Sequence, residues 1–179
     1  SIEIVSNSNN VIIECAKVLS TSDFKKGIRA VLKILGTELK ADRAYIVESD
    51  RGEVGDIYEW LDRQSGLGLP SKKDFDKYDF FTMWNKQLQG GKVIVVDDIL
   101  PISHKNKQVY DDVLLGKISR YTIASLNDKK DTIGYLIAEN YLPNVDINIR
   151  EVMESVAIFI SEELRNYNLA KEMTYISSH

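Results

Sequence analysis

The period of the apolar positions changes along the chain, and each change marks an element. Val11, Ile12, Cys15, Val18 and Leu19 recur at helical spacing and predict a first helix with one apolar stripe. Residues 1–10 before it, rich in Ser and Asn, read as a polar linker or an approach to that helix. Thr21, Ser22 and Asp23 are helix-capping types, so a second helix starts there, with its stripe on Phe24, Ile28, Val31, Leu32, Leu35 and Leu39. The period then drops to two. In 44–48, Tyr45 and Val47 fall on one face of a strand and Ala44 and Ile46 on the other. Asp50, Gly52 and Gly55 make a turn, and 57–61 returns as the second arm of an antiparallel hairpin.

The middle of the chain is less regular. Residues 65–70 read as a loop, and 75–88 as a short helix in its second half, ending at Gln89-Gly90-Gly91. Val93, Ile94, Val95 and Val96 form an unbroken apolar run, the pattern of a strand covered on both faces. A loop over 97–106 and a short helix over 108–115 come next. Strands at 120–126 and 133–140 flank a polar turn. Beyond Pro143 an amphipathic helix begins near Ile147, with apolar positions Ile149, Val152, Met153, Val156, Ile160, Leu164 and Tyr167. The order α, α, β, β, α, β, α, β, β, α predicts an α+β domain with a central antiparallel five-stranded sheet flanked by helices. Its boundaries are set at 11–170, with 171–179 as the start of a linker to a downstream output domain. A domain that ends on a long outward helix is expected to pass a signal along that helix to its C-terminal neighbour.

Composition narrows the function classes. A chain of 179 residues is sized for one domain. The net charge of −4 leaves no uncancelled Lys/Arg stripe, which argues against a nucleic-acid surface. One cysteine, Cys15, excludes an intrachain disulfide and a cysteine-based metal cluster, and it fits a reducing, cytoplasmic setting. No apolar run approaches the roughly 18 residues that span a bilayer, so no membrane contact by this segment is expected.

Catalytic patterns are missing. The sequence has no Gly-rich phosphate loop, no Walker lysine and no Gly-x-Ser-x-Gly elbow, and its histidines are His104, in a polar loop, and His179. No enzymatic role is expected of this segment. Asp97-Asp98 either ends a strand with solvated carboxylates or orients a ligand amine or cation. His104-Lys105-Asn106-Lys107 reads as a solvated loop or a phosphate contact, and Cys15 as inert packing. The aromatics are more suggestive. Tyr58 and Trp60 share a strand face, Tyr45 lies on the neighbouring strand, Trp84 on the mid-chain helix, and Tyr121 opens the fourth strand. Such rings either fill a core or line a pocket for a small planar ligand. The candidate pocket has Trp60 and Trp84 as walls, Tyr45 and Tyr121 as polar-tipped liners, and Asp98 and Glu139 as orienting acceptors. The spacing of the last helix also suits pairing with a second copy. A parallel homodimer through the terminal helices, seamed by Val152, Val156 and Ile160, is expected.

Several stretches, taken in order, resemble the GAF family. Asp42-Arg43-Ala44-Tyr45-Ile46-Val47-Glu48 is similar to the family's first strand and Tyr58-Glu59-Trp60 to its second. Trp84, Leu88 and Gly90-Gly91 resemble its helix end. Val95-Val96-Asp97-Asp98-Ile99 before Leu100-Pro101 resembles its central strand and exit, and Ile133-Gly134-Tyr135-Leu136 its hydrophobic-Gly-hydrophobic strand. The resemblance implies a PAS-like sheet, a ligand cavity between that sheet and the mid-chain helices, and a sensory role or a plain dimerisation role. The cofactor is left unknown, and the departures narrow the choice. Bilin-binding members attach chromophore through a cysteine beside the pocket, whereas Cys15 is on the first helix. Members that reduce free methionine sulfoxide use several cysteines. The cyclic-nucleotide signature is not intact around Asn85-Lys86 or Asn106-Lys107, and haem would depend on His104. Finally, Tyr175-Ile176-Ser177-Ser178-His179 resembles the linker before GGDEF diguanylate cyclase domains, while Ser178-His179 resembles the Ser-His of histidine-kinase dimerisation helices. The resemblance therefore implies an input domain for a diguanylate cyclase. The alternatives are an input domain for a sensor kinase and a ligand-free spacer.

Overall fold

The computed structural model describes residues 1–68, 71–103 and 117–178. Strands β1 (Arg43–Asp50), β2 (Glu53–Leu61), β3 (Val93–Val96), β4 (Tyr121–Asp128) and β5 (Asp131–Glu139) form one sheet in the order β2-β1-β5-β4-β3. Every neighbouring pair is antiparallel. Helices α1 (Ile2–Thr21), α2 (Phe24–Glu38) and α6 (Ile149–Ser178) cover one face. Helices α3 (Lys72–Tyr78) and α4 (Phe80–Leu88) cover the other, and the short α5 (Leu100–Ser103) comes after β3. The α+β architecture expected from the hydrophobic periods is the one observed, including the five-stranded antiparallel sheet and the long last helix.

Local chemistry explains the boundaries. Asp23 caps α2, its carboxylate accepting from the Lys26 N–H at 3.1 Å. Between β1 and β2 the turn has two residues, Arg51 and Gly52, both at positive φ (53° and 86°). That is the hairpin turn whose twist matches the strands. Gly55, expected in the turn, lies inside β2, where an added Cβ would come within 3.1 Å of the Glu48 Cβ. The mid-chain helix is two helices. Asp79, in the left-handed region (φ 47°), ends α3 and opens α4.

Three expectations are corrected, and a fourth is not tested. Residues 1–10 are not linker: α1 starts at Ile2, and Ser8 is fully buried, accepting from the Asn148 N–H at 2.9 Å just before α6. That bond ties the first helix to the start of the last. The apolar run 93–96 is an edge strand with only Val93 buried, because its β-branched residues contact both layers at their periphery. The loop from residue 97 is interrupted by α5. The helix expected over 108–115 lies outside the described residues.

The two faces have different cores. Under α1, α2 and α6 sits an aliphatic layer that includes Ile28, Leu32, Leu35, Ile46, Leu136, Val156 and Ile160. Opposite lies an aromatic layer of Phe75, Phe80, Phe81, Trp84, Tyr45, Tyr121 and Tyr135. No described helix is long and apolar enough to cross a membrane.

Candidate functional site

Strand register places the candidate residues. Arg43 pairs with Glu139, and Glu139 with Tyr121, so Arg43, Glu139 and Tyr121 form one row across β1, β5 and β4 at the end of the sheet. The next row on the same face holds Tyr45, Ile137 and Ile123. Tyr45, Tyr121 and Glu139 are therefore brought together on the aromatic face. Each is at most 6% exposed.

Glu139 is already engaged. Arg43 donates from Nε to Oε1 and from Nη2 to Oε2 at 3.0 Å, while its Nη1 donates to the Gly68 carbonyl at 2.8 Å. The guanidinium lies 5.3 Å from the centre of the Tyr45 ring. Burial raises the Tyr45 phenol well above its ordinary value, and the Glu139 charge adds to that. Tyr121 donates to Gln87 Oε1 at 2.9 Å, and Tyr135 donates to Asn85 Oδ1. Burial pushes the Tyr135 phenol up to about 12. The Tyr45 and Tyr135 phenols stay protonated at neutral pH, so they act as donors and not as bases.

Trp84 belongs to the same layer but is enclosed by aromatic neighbours. Its ring lies 5.8 Å from Phe75, 5.5 Å from Phe80, 6.1 Å from Phe81 and 5.1 Å from Tyr135. Such spacing is that of packed aromatic pairs. It is a core ring rather than a free wall.

Two candidates lie elsewhere. Trp60 pairs with Ala44, not Tyr45, and so faces α2 on the opposite side of the sheet. There its ring occupies the space over Gly36, where an added Cβ would fall 2.1 Å from Trp60 Cε3. Asp98 is exposed and accepts from the Leu100 N–H at 3.0 Å, opening α5, and Asp97 accepts from the Tyr141 hydroxyl at 2.7 Å. The strand-ending reading of Asp97-Asp98 describes both. His104 and the basic stretch 104–107 lie outside the described residues.

Sequence reasoning missed Arg43, Gln87 and Asn140. Asn140, in the left-handed region (φ 56°), joins three segments behind the row. Its Oδ1 accepts from the Ser119 N–H at 2.7 Å, and its Nδ2 donates to Asp42 Oδ2 at 2.8 Å and to the Lys117 carbonyl at 2.7 Å. A signal for Arg43 was present: Glu139 ends an apolar strand, and a buried carboxylate calls for a cation in register with it.

The dimer seam is also misplaced. Val152, Val156 and Ile160 are 0% exposed and pack into the domain's own aliphatic core. The exposed apolar residues of α6 are Ile158, Leu169, Met173, Tyr175 and Ile176. Among the described residues no group of three or more His, Cys, Asp or Glu is placed to hold a metal ion.

No family model matches the sequence, and no curated protein matches it either. Solved structures do. The phycoerythrobilin-bound GAF domain of a cyanobacterial phytochrome superposes with a TM-score of 0.64 at 14% identity, covering 91% of this chain and 96% of that one. The GAF domain of a phosphoenolpyruvate-protein phosphotransferase from Coxiella burnetii gives 0.63 at 11% identity, covering 93% and 98%. The free methionine-R-sulfoxide reductase of Neisseria meningitidis, in complex with its substrate, gives 0.61 at 13%, covering 91% of each chain. These likenesses establish a GAF-type fold. The fold occurs in a sensory protein and in an enzyme, so it does not choose between those roles.

Proposed function

We propose that this chain is a GAF-type regulatory module that receives a signal on the aromatic face of its sheet and passes it out along α6. The observation that carries the reading is the division of α6. Its 30 residues are one continuous helix, buried at Val152, Met153, Val156, Ile160 and Leu164, and exposed throughout 169–178. The exposed part keeps an apolar seam, Leu169, Met173 and Ile176, at spacings of four and three. A solvated helix with such a seam suits pairing with a second copy. Exposed Ile2, Val5 and Ile13 of α1 add apolar surface at the other end of the chain. The homodimer is therefore proposed through 169–176 in place of Val152, Val156 and Ile160. The resemblance of 175–179 to the linker before a diguanylate cyclase domain supports that enzyme as the output, with a sensor kinase as the alternative.

The input is proposed to be a small molecule held at the Arg43, Tyr45, Tyr121 and Glu139 end of the sheet. Buried phenols and a guanidinium there supply donors. Similar folds are occupied: the phytochrome domain holds phycoerythrobilin, and the reductase is in complex with its substrate. One observation favours the spacer reading instead: Trp84 is closed in by four rings, as in a filled core. A thermal-shift screen of metabolites and nucleotides separates the two readings. A ligand at a hundredfold excess over its dissociation constant stabilises by about 2.7 kcal/mol, raising the melting temperature of a domain this size by about 5–11 °C. The shift should shrink in Tyr45→Phe and Tyr121→Phe. No shift with any compound, together with dimerisation that Leu169→Glu abolishes, would establish the spacer.

A further inference from the structure

The aromatic face of the sheet is covered. Tyr45, Tyr121, Tyr135 and Ile137 are at most 6% exposed, so a small molecule reaches them only when a covering element moves. The apolar stripe of α4 is Phe80, Phe81, Trp84 and Leu88, a spacing that puts all four on one side of the helix. That side meets the sheet, with the Phe81 and Trp84 rings 5.0 Å and 5.1 Å from Tyr135. The same spacing puts Asn85 and Gln87 at the two margins of the stripe. Each carboxamide oxygen accepts from a phenol of the sheet, Asn85 Oδ1 from Tyr135 and Gln87 Oε1 from Tyr121 at 2.9 Å. Among the described residues these are the side-chain hydrogen bonds that join α4 to the sheet.

Both ends of α4 are jointed. Asp79 before it has φ 47°, and Gln89 and Gly90 after it have φ 51° and 78°. Asp79 and Gln89 are not glycine, and such residues hold the left-handed region at a cost. A change of φ there relieves that cost and leaves the nine residues of the helix intact. The second joint has room, since a Cβ added at Gly90 would meet nothing within 4 Å. The outer side of α4 is also open, with Thr82, Asn85 and Lys86 exposed. In contrast, α6 is held against the sheet on one side and α1 on the other.

We propose that α4 is a hinged lid on the aromatic face, turning at Asp79 and at Gln89-Gly90, and latched by Tyr135 on Asn85 and Tyr121 on Gln87. Opening carries Phe80, Phe81 and Trp84 away from Phe75 and Tyr135 and releases both phenols from the helix. The filled core around Trp84 and an accessible sheet face are then two positions of one element. Bringing three aromatic rings into water keeps the open form a minor population in the free protein. That a ligand uses the opening rests on the small-molecule reading proposed above; the opening itself does not.

Two measurements on the whole chain test the lid. In native-state amide exchange, residues 84–88 should exchange through a local opening that is insensitive to low urea. That opening should be at least about tenfold more populated than the one that exposes 156–164 of α6. Tyr121→Phe/Tyr135→Phe removes both latches and keeps both rings. It should raise exchange at 84–88 by about tenfold beyond any change at 156–164. The second measurement uses a Cys15→Ser background. Ile137→Cys puts a thiol under the lid, and Leu136→Cys puts one on the opposite face of the same strand. Relative to its own unfolding rate, Ile137→Cys should react with a disulfide reagent at least about tenfold faster than Leu136→Cys. The latch variant should accelerate only Ile137→Cys. The lid is overturned if 84–88 and 156–164 open together in one urea-dependent event, or if removing both hydroxyls moves exchange in the two helices equally. It is also overturned if both thiols react only at the unfolding rate. A thermal shift with some compound alongside any of those results would refute the lid and leave the small-molecule reading standing. An α4 that opens as described while no compound shifts the melting temperature would refute that reading and keep the lid.

Discussion

Replacing Arg43 by Met tests how the end of the sheet is held. Methionine keeps most of the length of the side chain and removes the charge. In the parent, the Arg43 and Glu139 side chains are 14% and 5% exposed, too buried for solvent to screen the pair. The substitution deletes both bonds to the Glu139 carboxylate and the bond to the Gly68 carbonyl. It leaves a buried carboxylate without a counter-ion, which costs about 3–5 kcal/mol. Against a total stability of about 5–15 kcal/mol that is a large loss, equivalent to a fall of about 6–20 °C in melting temperature. The double variant Arg43→Met/Glu139→Leu removes the stranded charge with its partner. It should recover to within about 1 kcal/mol of the parent or exceed it, because a buried ion pair seldom outperforms packed apolar groups. Urea unfolding monitored by far-UV circular dichroism, with the slope checked for constancy, gives the free energies. The reasoning fails if Arg43→Met stays within about 1 kcal/mol of the parent at neutral pH, or if the double variant is as unstable as the single one. A double variant that is stable yet loses a ligand found by thermal shift would assign the pair to binding.

Three further outcomes are expected. Gly36→Ala puts a Cβ 2.1 Å from Trp60 Cε3 and 2.2 Å from Cζ3, so the ring must move. The expected loss is about 1–3 kcal/mol in urea unfolding, with recovery when Trp60→Leu is added, and an unchanged midpoint would mean that Trp60 is not seated on α2. Glu48 is an acid whose folded value is raised above the ordinary 4.5, so its ionised form opposes folding. Glu48→Gln should therefore be more stable than the parent near neutrality, with the gain shrinking as pH falls through the raised value and gone below about pH 4. A gain that grows on acidification would reverse the sign of the argument. Cys15 is 0% exposed, and burial pushes its thiol up to about 12. Its reaction with a disulfide reagent at about pH 8 should proceed at the unfolding rate, and prompt labelling of the native protein would contradict that.

The parts of this fold that were legible in the sequence are those set by local period. The stripes of α2 and α6 appear in the core at the positions the spacing gave, since a helical period fixes which residues share a face. It does not fix what that face meets. Val152, Val156 and Ile160 read equally well as a seam for a second copy, and only tertiary packing assigns them to this domain's own core. Strand pairing failed in another way. Tyr58 and Trp60 do share a face, but the short turn at Arg51 and Gly52 and the irregularity between Val47 and Ser49 set Trp60 against Ala44. Because side chains alternate, an error of one residue moves a ring through the sheet. Trp60 and Trp84 consequently cannot wall one pocket. The Arg43–Glu139 pair was missed for a third reason: a carboxylate ending an apolar strand calls for a cation, but its partner is 96 residues away and only the strand register says which cation it is.

The sheet is one layer thick, so neighbouring residues of one strand report to opposite sides: Val47 to the aromatic layer, Glu48 to a groove under α6. What such a sheet can move is limited by how α6 is attached. Val156, Ile160 and Leu164 are at most 1% exposed, and displacing any of them would open a cavity costing about 2–5 kcal/mol. The last attachments are weaker. Tyr167 stacks on Phe24 with centroids 4.1 Å apart, Phe24 meets Tyr58 edge-on at 6.0 Å, and Lys171 lies over Tyr167. Each is worth about 0.5–1.5 kcal/mol. A ligand with a tenfold preference for one arrangement supplies about 1.4 kcal/mol, enough to shift these contacts but not the buried turns. On the proposed signalling role, these magnitudes favour release or rotation of the segment after Leu164 over a slide of the whole helix. Phe24→Leu removes the stack while keeping an apolar side chain. In a Cys15→Ser background, spin labels at Asn168 and Glu172 should gain mobility in that variant, while a label at exposed Ile158 should not change. Equal loosening at all three positions would mean that α6 moves as a unit, and the buried half would then be less firmly held than its packing implies.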